Sequence, residues 1–265
     1  MAEADPIRHI VERLPKLTGY QLDSVARIID QLQRPRQFCR NEASDLVTAD
    51  VLQDFGDALR IHHVFSAEAL SKDRFEYALE RVLQGRGIAA RRAPKGNPGH
   101  DLTIRNTGVS LKTQADKGIK VGAIHISKFM ELGKGEWTDK VEDLRGLLTR
   151  FSDHMARYER IFTLRRLKDK TDEHYELVEI PKDLLERATT GSLRIVTESR
   201  QNPKPGYCTV SDAQGVAFQL YFDGGTERKL QVKDLRKNLC IVHATWKFPR
   251  QQADKEPVFE DDPIL

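Results

Sequence analysis

Cysteine is scarce in this 265-residue chain, with only Cys39, Cys208 and Cys240 present. None lies in a CxxC pair or beside a histidine cluster, so neither a structural zinc site nor a disulfide framework is expected. Long apolar runs are missing too. No stretch approaches the roughly 18 residues of a membrane span, and the acidic opening Met1-Ala2-Glu3-Ala4-Asp5 has no apolar segment behind it, so no secretory signal is expected. There is no GxGxxG, GxSxG, HExxH or kinase signature, and Asp223-Gly224-Gly225 reads as a turn and not as a phosphate loop. What remains is 39% hydrophobic and 31% charged, outside the disordered regime and long enough to bury a sizeable core. The expected setting is the cytoplasm, with no membrane partner.

Net charge is also small, +3 from 43 basic and 40 acidic side chains, but it is unevenly spread. Residues 1–70 hold 8 Lys and Arg against 11 Asp and Glu; residues 91–130 hold 8 against 2; residues 191–250 hold 10 against 5. Two basic segments separated by neutral or acidic ones are what a phosphate-tracking surface needs.

Periodicity divides the chain into three stretches. Residues 1–66 read as helical, with stripes through Ile7, Ile10, Val11 and Leu14, then Leu22, Val25, Ile28, Ile29 and Leu32, then Leu46, Val51, Phe55 and Leu59. Residues 67–190 begin with a helix capped near Ser71 and stopped by Gly85 and Gly87. After it come a short strand at 88–90, a hairpin of 101–104 with 109–113 turning at 106–108, and a short helix at 127–132. A long helix from Val141, strands at 161–164 and 175–180, and a helix opened by Pro181 complete this stretch. Residues 191–265 read as strands at 193–196, 207–210, 216–222 and 239–246, then an acidic tail. The order predicts an α/β or α+β fold: a mixed sheet flanked by helices, with a helical N-terminal addition and a β-rich C-terminal region.

The stretch that carries chemistry is Gly99-His100-Asp101-Leu102-Thr103-Ile104 with Gly108-Val109-Ser110-Leu111-Lys112-Thr113. Strand side chains alternate, so Ser110 and Lys112 leave one face of a strand and the hairpin brings Asp101 beside them. A carboxylate there suits Mg²⁺, an oxygen-seeking cation, with the backbone carbonyl of Leu111 as a second ligand. Lys112 is then placed to orient a water and stabilise its hydroxide. The His62-His63 doublet cannot easily share a metal, His125 reads as a packed or DNA-facing side chain, and His154 and His243 have no identifiable partners.

This arrangement resembles the PD-(D/E)XK nuclease superfamily and, within it, the type II restriction endonucleases. The Gly-Val-Ser-Leu-Lys-Thr segment also looks like the metal-binding strand of the MutH-like nicking enzymes. The resemblance spans about residues 71–182. It implies a glutamate on the preceding helix, where Glu76 and Glu80 stand one turn apart, about 20 to 25 residues before Asp101. Two positions depart from the pattern: His100 stands where a proline is usual, and Ser110 replaces the second carboxylate. The missing acid must come from elsewhere, from Glu76 or Glu80 first, otherwise from Asp116 or Glu131.

The resemblance implies a Mg²⁺-dependent, sequence-specific endonuclease of double-stranded DNA, bacterial or archaeal, that leaves 5′-phosphate and 3′-hydroxyl ends. Its catalytic set is Asp101, Ser110, Lys112 and Glu76. A homodimer is expected on a palindromic site, with a cognate DNA methyltransferase as functional partner. DNA contacts are expected from Arg91, Arg92, Lys95, Gln114, Lys117, Lys120, Arg228, Lys229 and Lys233. Arg194, Arg200, Lys204, Arg236 and Lys237 add to the basic C-terminal region. The alternatives are a strand-nicking or structure-specific repair nuclease on the same residues, or a catalytically inactive DNA-binding protein.

Overall fold

Helix caps frame the N-terminal stripes. Helix α1 (Pro6–Val11) starts on Asp5, whose carboxylate accepts from the Ile7 N–H. Helix α2 (Gly19–Gln33) starts on a reciprocal capping box between Thr18 and Gln21 and stops before Pro35, which disfavours helical geometry at Arg34. A short strand, β1 (Gln37–Arg40), follows. Thr48 caps α3 (Ala49–Phe65), and Ser71 caps α4 (Lys72–Gly85), whose C-cap Arg86 is followed by Gly87 with φ +70°. The computed structural model describes residues 5–94, 96–97, 99–133 and 137–251. The acidic tail expected at the C-terminus lies outside them.

Next come β2 (Ala90–Arg92), β3 (Leu102–Ile104), β4 (Thr107–Gln114), β5 (Ala123–Glu131), α5 (Val141–Met155), β6 (Arg160–Leu167), β7 (Asp172–Glu179) and α6 (Lys182–Glu186). The chain closes with β8 (Ser192–Ile195), β9 (Gly206–Asp212), β10 (Gly215–Asp223), β11 (Lys229–Arg236) and β12 (Ile241–Pro249). A seven-stranded sheet has the order β1-β12-β7-β6-β4-β3-β2, and a five-stranded one the order β5-β11-β10-β9-β8. In the first sheet β4 and β6 run parallel, while its other pairs and the whole second sheet are antiparallel. The expected mixed α/β architecture is present.

Several local expectations need correction. Residues 127–132 form no helix; they continue strand β5, which pairs with β11. The hairpin turns at Arg105 and Asn106, both with positive φ (48° and 68°), so Thr107 and Gly108 already belong to β4. The strand expected at 88–90 is shifted to 90–92. Strands β1 and β11 were not foreseen. The sheets also interleave the three stretches: β1 and β12 lie in the first sheet, and β5 lies in the second.

Two cores hold the layers. Phe55, Leu59, Phe75, Leu79 and Leu83 of α3 and α4 pack with Leu111, Phe162, Leu164 and Trp246 of the first sheet. Each side chain of this size contributes roughly 1.5–3 kcal/mol on full burial, which fixes α4 against the hairpin. On the other side Leu144, Leu147 and Phe151 of α5 join Ile161 and Val178 to Phe218, Leu220 and Phe222 of the second sheet. Among the described residues, no helix is long and apolar enough to cross a membrane.

Candidate active site

Asp101 sits one residue before β3, and its backbone N–H donates to the Val109 carbonyl. Beyond that pair β3 no longer covers β4, so the next backbone donor, the Leu111 N–H, turns to the Asp101 carboxylate at 2.7 Å from Oδ2. In an extended strand the N–H and C=O of one residue point to the same edge. The Leu111 carbonyl is therefore directed to the edge that Asp101 occupies. The Ser110 hydroxyl donates to Asp101 Oδ2 at 3.2 Å and accepts from Lys112 Nζ at 2.9 Å. The hairpin thus brings Asp101, Ser110 and Lys112 into one chain of hydrogen bonds.

Lys112 is almost fully buried, with its ammonium 5.3 Å from the ring centre of Phe129 on β5. Burial pushes its pKa down to about 8, against the opposing attraction of Asp101. Helix α4 supplies two more groups. Lys72 Nζ lies 2.7 Å from Asp101 Oδ1 and 3.0 Å from Glu76 Oε1. Burial pulls the Lys72 ammonium down, but its bonds to Asp101 and Glu76 outweigh that and hold it above the ordinary lysine value.

The helix separates its two glutamates. Glu76 turns to the Asp101 side through Lys72, whereas Glu80 accepts from the Arg92 N–H and Nε, at 2.9 and 2.7 Å. Burial of Glu80 is opposed by those bonds, which hold its carboxyl below the ordinary range. Glu131, on strand β5, lines the same cleft as Asp101 and pairs with Lys128 at 2.8 Å. Asp116 instead accepts from the Gln114 amide and the Gly118 N–H.

The cleft has a volume of about 650 Å³ and is lined by Lys72, Asp101, Lys112, Met130, Glu131 and His154, among others. His154, on α5, is held down at about 4 by burial and by the charge of Lys112. Among the described residues, no three His, Cys, Asp or Glu side chains converge as a preformed metal cage. The donor set still fits a hard cation. All its donors are oxygens, those of Asp101, Glu76 and the Leu111 carbonyl, and a tethered ammonium already bridges the two carboxylates.

The basic residues expected on DNA divide by what they touch. Arg91 and Lys117 are exposed; Lys95 lies outside the described residues. Arg92 is paired with Glu80 and stacked 5.2 Å from Tyr77. Lys120 pairs with Asp234 at 3.4 Å, and Lys229 with Glu227 at 2.8 Å. Arg228 lines a neighbouring cleft of about 700 Å³ that also includes Glu131. Lys233 stands 3.9 Å from the Tyr221 ring centre. Gln114 does not present a free side chain: it is buried, and its Oε1 accepts from the buried Arg165 at 2.8 Å. Sequence reading overlooked Lys72, although a Lys–Glu pair spaced i, i+4 at the start of α4 was there to be seen. It also found no partner for His154, and took Met130 for part of a helix.

A family model described as type II site-specific deoxyribonuclease, SmaI, matches residues 10–248 of the chain. The type II restriction enzyme SmaI of Serratia marcescens is 48% identical over 236 residues, which cover 88% of this chain and 93% of that protein. No solved structure matches.

Proposed function

The chain belongs to the SmaI family of type II site-specific deoxyribonucleases, and from that premise we propose that it hydrolyses duplex DNA at the Asp101–Lys112 hairpin, with Mg²⁺. The products are 5′-phosphate and 3′-hydroxyl ends. The observation that carries this reading is the Asp101 carboxylate held by the Leu111 N–H and Ser110, with Lys112 2.9 Å from the same serine oxygen. This is a PD-(D/E)XK-like site with a serine in place of one acid.

Asp101, Glu76 and the Leu111 carbonyl would hold the cation, with Lys72 giving up its place between the two carboxylates. A divalent cation held there would supply charge neutralisation at the scissile phosphate and Lewis acidity toward the nucleophile. The chain's own residues do the rest. Lys112 orients the attacking water; with a pKa near 8 its amine exchanges a proton close to neutral pH. Ser110 contributes no charge but fixes the ammonium relative to Asp101. The basic C-terminal region, residues 191–265, provides DNA recognition, and a cognate methyltransferase protects the same site in host DNA.

Plasmid cleavage tests the assignment. Asp101→Asn should abolish Mg²⁺-dependent cutting and weaken Ca²⁺ binding by calorimetry while leaving the melting temperature nearly unchanged. Lys112→Ala should lower the single-turnover rate by about 10²–10⁴-fold. Full cutting by Asp101→Asn, in protein free of other nucleases, would remove the site.

A further inference from the structure

We propose that the outer face of the second sheet, on β9, β10 and β11, reads DNA bases; this rests on the nuclease reading above. Alternation divides these strands sharply. Cys208, Val210, Phe218, Leu220, Phe222, Leu230 and Val232 are buried in the core, so Tyr207, Thr209, Gln219, Tyr221, Gln231 and Lys233 share the opposite face. The register sets them side by side: Gln219 lies opposite Thr209 on one flank and Lys233 on the other, and Tyr221 lies between Tyr207 and Gln231.

The face is ordered as well as polar. The Tyr207 and Tyr221 rings are 4.8 Å apart, with Lys233 Nζ held 3.9 Å from the Tyr221 ring centre. Gln219 Nε2 donates to Thr209 Oγ1 at 3.1 Å, and Gln231 Nε2 donates to Asp223 Oδ2 at 3.1 Å. Asp223 is itself fixed by the Gln201 amide and the Gly225 N–H. Each glutamine is thus anchored through its nitrogen. A fixed ammonium beside anchored amides gives the mixed donor and acceptor pattern that base edges recognise, and side chains already held in place lose little freedom on binding. None of the six positions is aliphatic, whereas a protein-binding patch concentrates apolar side chains at its centre.

The face is continuous with the cleft through β5. His125 shares a small cleft with Lys233, while Glu131 of the same strand, in register with Lys229 on the same face, lines the cleft that holds Asp101 and Lys112. At about 4.8 Å per strand, β5 to β9 spans roughly 15 Å, the length of about four base-pair steps. A duplex with its scissile phosphate at Asp101 therefore brings the adjacent groove over Lys233 and the two glutamines.

The test uses the full chain, with Ca²⁺ replacing Mg²⁺ to hold off cutting. The probes are a duplex carrying the site mapped from plasmid cleavage, single-base-pair variants of it, and a site-free duplex of equal length. Lys233→Ala and Gln231→Ala should each lower affinity for the site duplex about 10- to 100-fold and relax discrimination at one base pair. Affinity for the site-free duplex should change less than about threefold. Gln219→Ala serves as a third variant should either of the first two melt early. Equal losses on both duplexes would make the face a phosphate anchor, and no loss would take DNA off it; either result overturns the proposal. Wild-type protein that cuts no DNA overturns the nuclease reading instead, a separate failure.

Discussion

Glu76 and Glu80 pose a question that sequence alone leaves open, because one helical turn puts both on the same side of α4. The fold answers it through other elements. Strand β2 carries Arg92 to Glu80 and occupies that carboxylate, while Lys72 ties Glu76 to Asp101. Glu76→Gln should therefore weaken divalent-cation binding and lower the single-turnover rate by about 10²-fold, the size of a lost ligand or supporting contact. Glu80→Gln should leave both nearly unchanged. If instead Glu131→Gln is damaging and Glu76→Gln silent, the second acid comes from β5. The Asp101, Ser110 and Lys112 juxtaposition was legible because strand alternation and a short hairpin are local. Lys72 was not, because its role is set by a carboxylate 29 positions away.

Elements were legible where their pattern was uninterrupted. Ser71 capping α4 and the stripe of α5 follow from spacing alone. Strand β5 was misread because its ladder shifts register between Ile126 and Met130; this buries Phe129 and Leu132, a helix-like i, i+3 spacing. Strand β1 pairs only with β12, some 200 positions on, so nothing local announces it. Between elements, a buried histidine predicts a pH dependence. His63 on α3 donates from Nδ1 to the Ser66 carbonyl and accepts at Nε2 from the Tyr175 hydroxyl of β7, at 2.9 and 2.8 Å. Burial holds its pKa near 4, below the ordinary 6.5, despite the nearby Glu173, whose charge Arg166 and Arg250 already engage. The unfolded chain binds that proton more readily. The stability tied to neutral His63 is therefore complete above pH 6.5 and is lost as pH falls toward 4. Between pH 7 and 5 the loss is roughly 2 kcal/mol. Chemical denaturation of His63→Gln should show a smaller loss over that range; an unchanged slope would place the proton elsewhere.

At the scale of the molecule, the sequence announced a mixed α/β fold but not how its parts interleave: β12 completes the sheet that carries the site, and β5 crosses to the sheet that lies beside it. Strand pairing over such separations leaves no local trace. The same scale poses the question of the second DNA strand. On the proposed mechanism one hairpin would cut one strand, and a two-fold dimer is the simplest way to present two to a symmetric duplex. The N-terminal helices offer a surface for it. Ile7, Ile10 and Val11 share one side of α1, Leu22 and Ile29 share one side of α2, and all five are exposed, Ile7 at 72% and Ile29 at 48%, apolar side chains that a monomer has little reason to keep in water. This end of the chain is the acidic one, so DNA is not what it attracts, and a second copy is the occupant we propose. The wild type should sediment at twice its 30.3 kDa chain mass. The double substitution Ile10→Glu and Ile29→Glu should sediment as a monomer and convert supercoiled plasmid to open circles well before linear product appears. A wild type that stays monomeric on its site duplex would refute the dimer. A double variant that still sediments as a dimer would move the interface away from these helices.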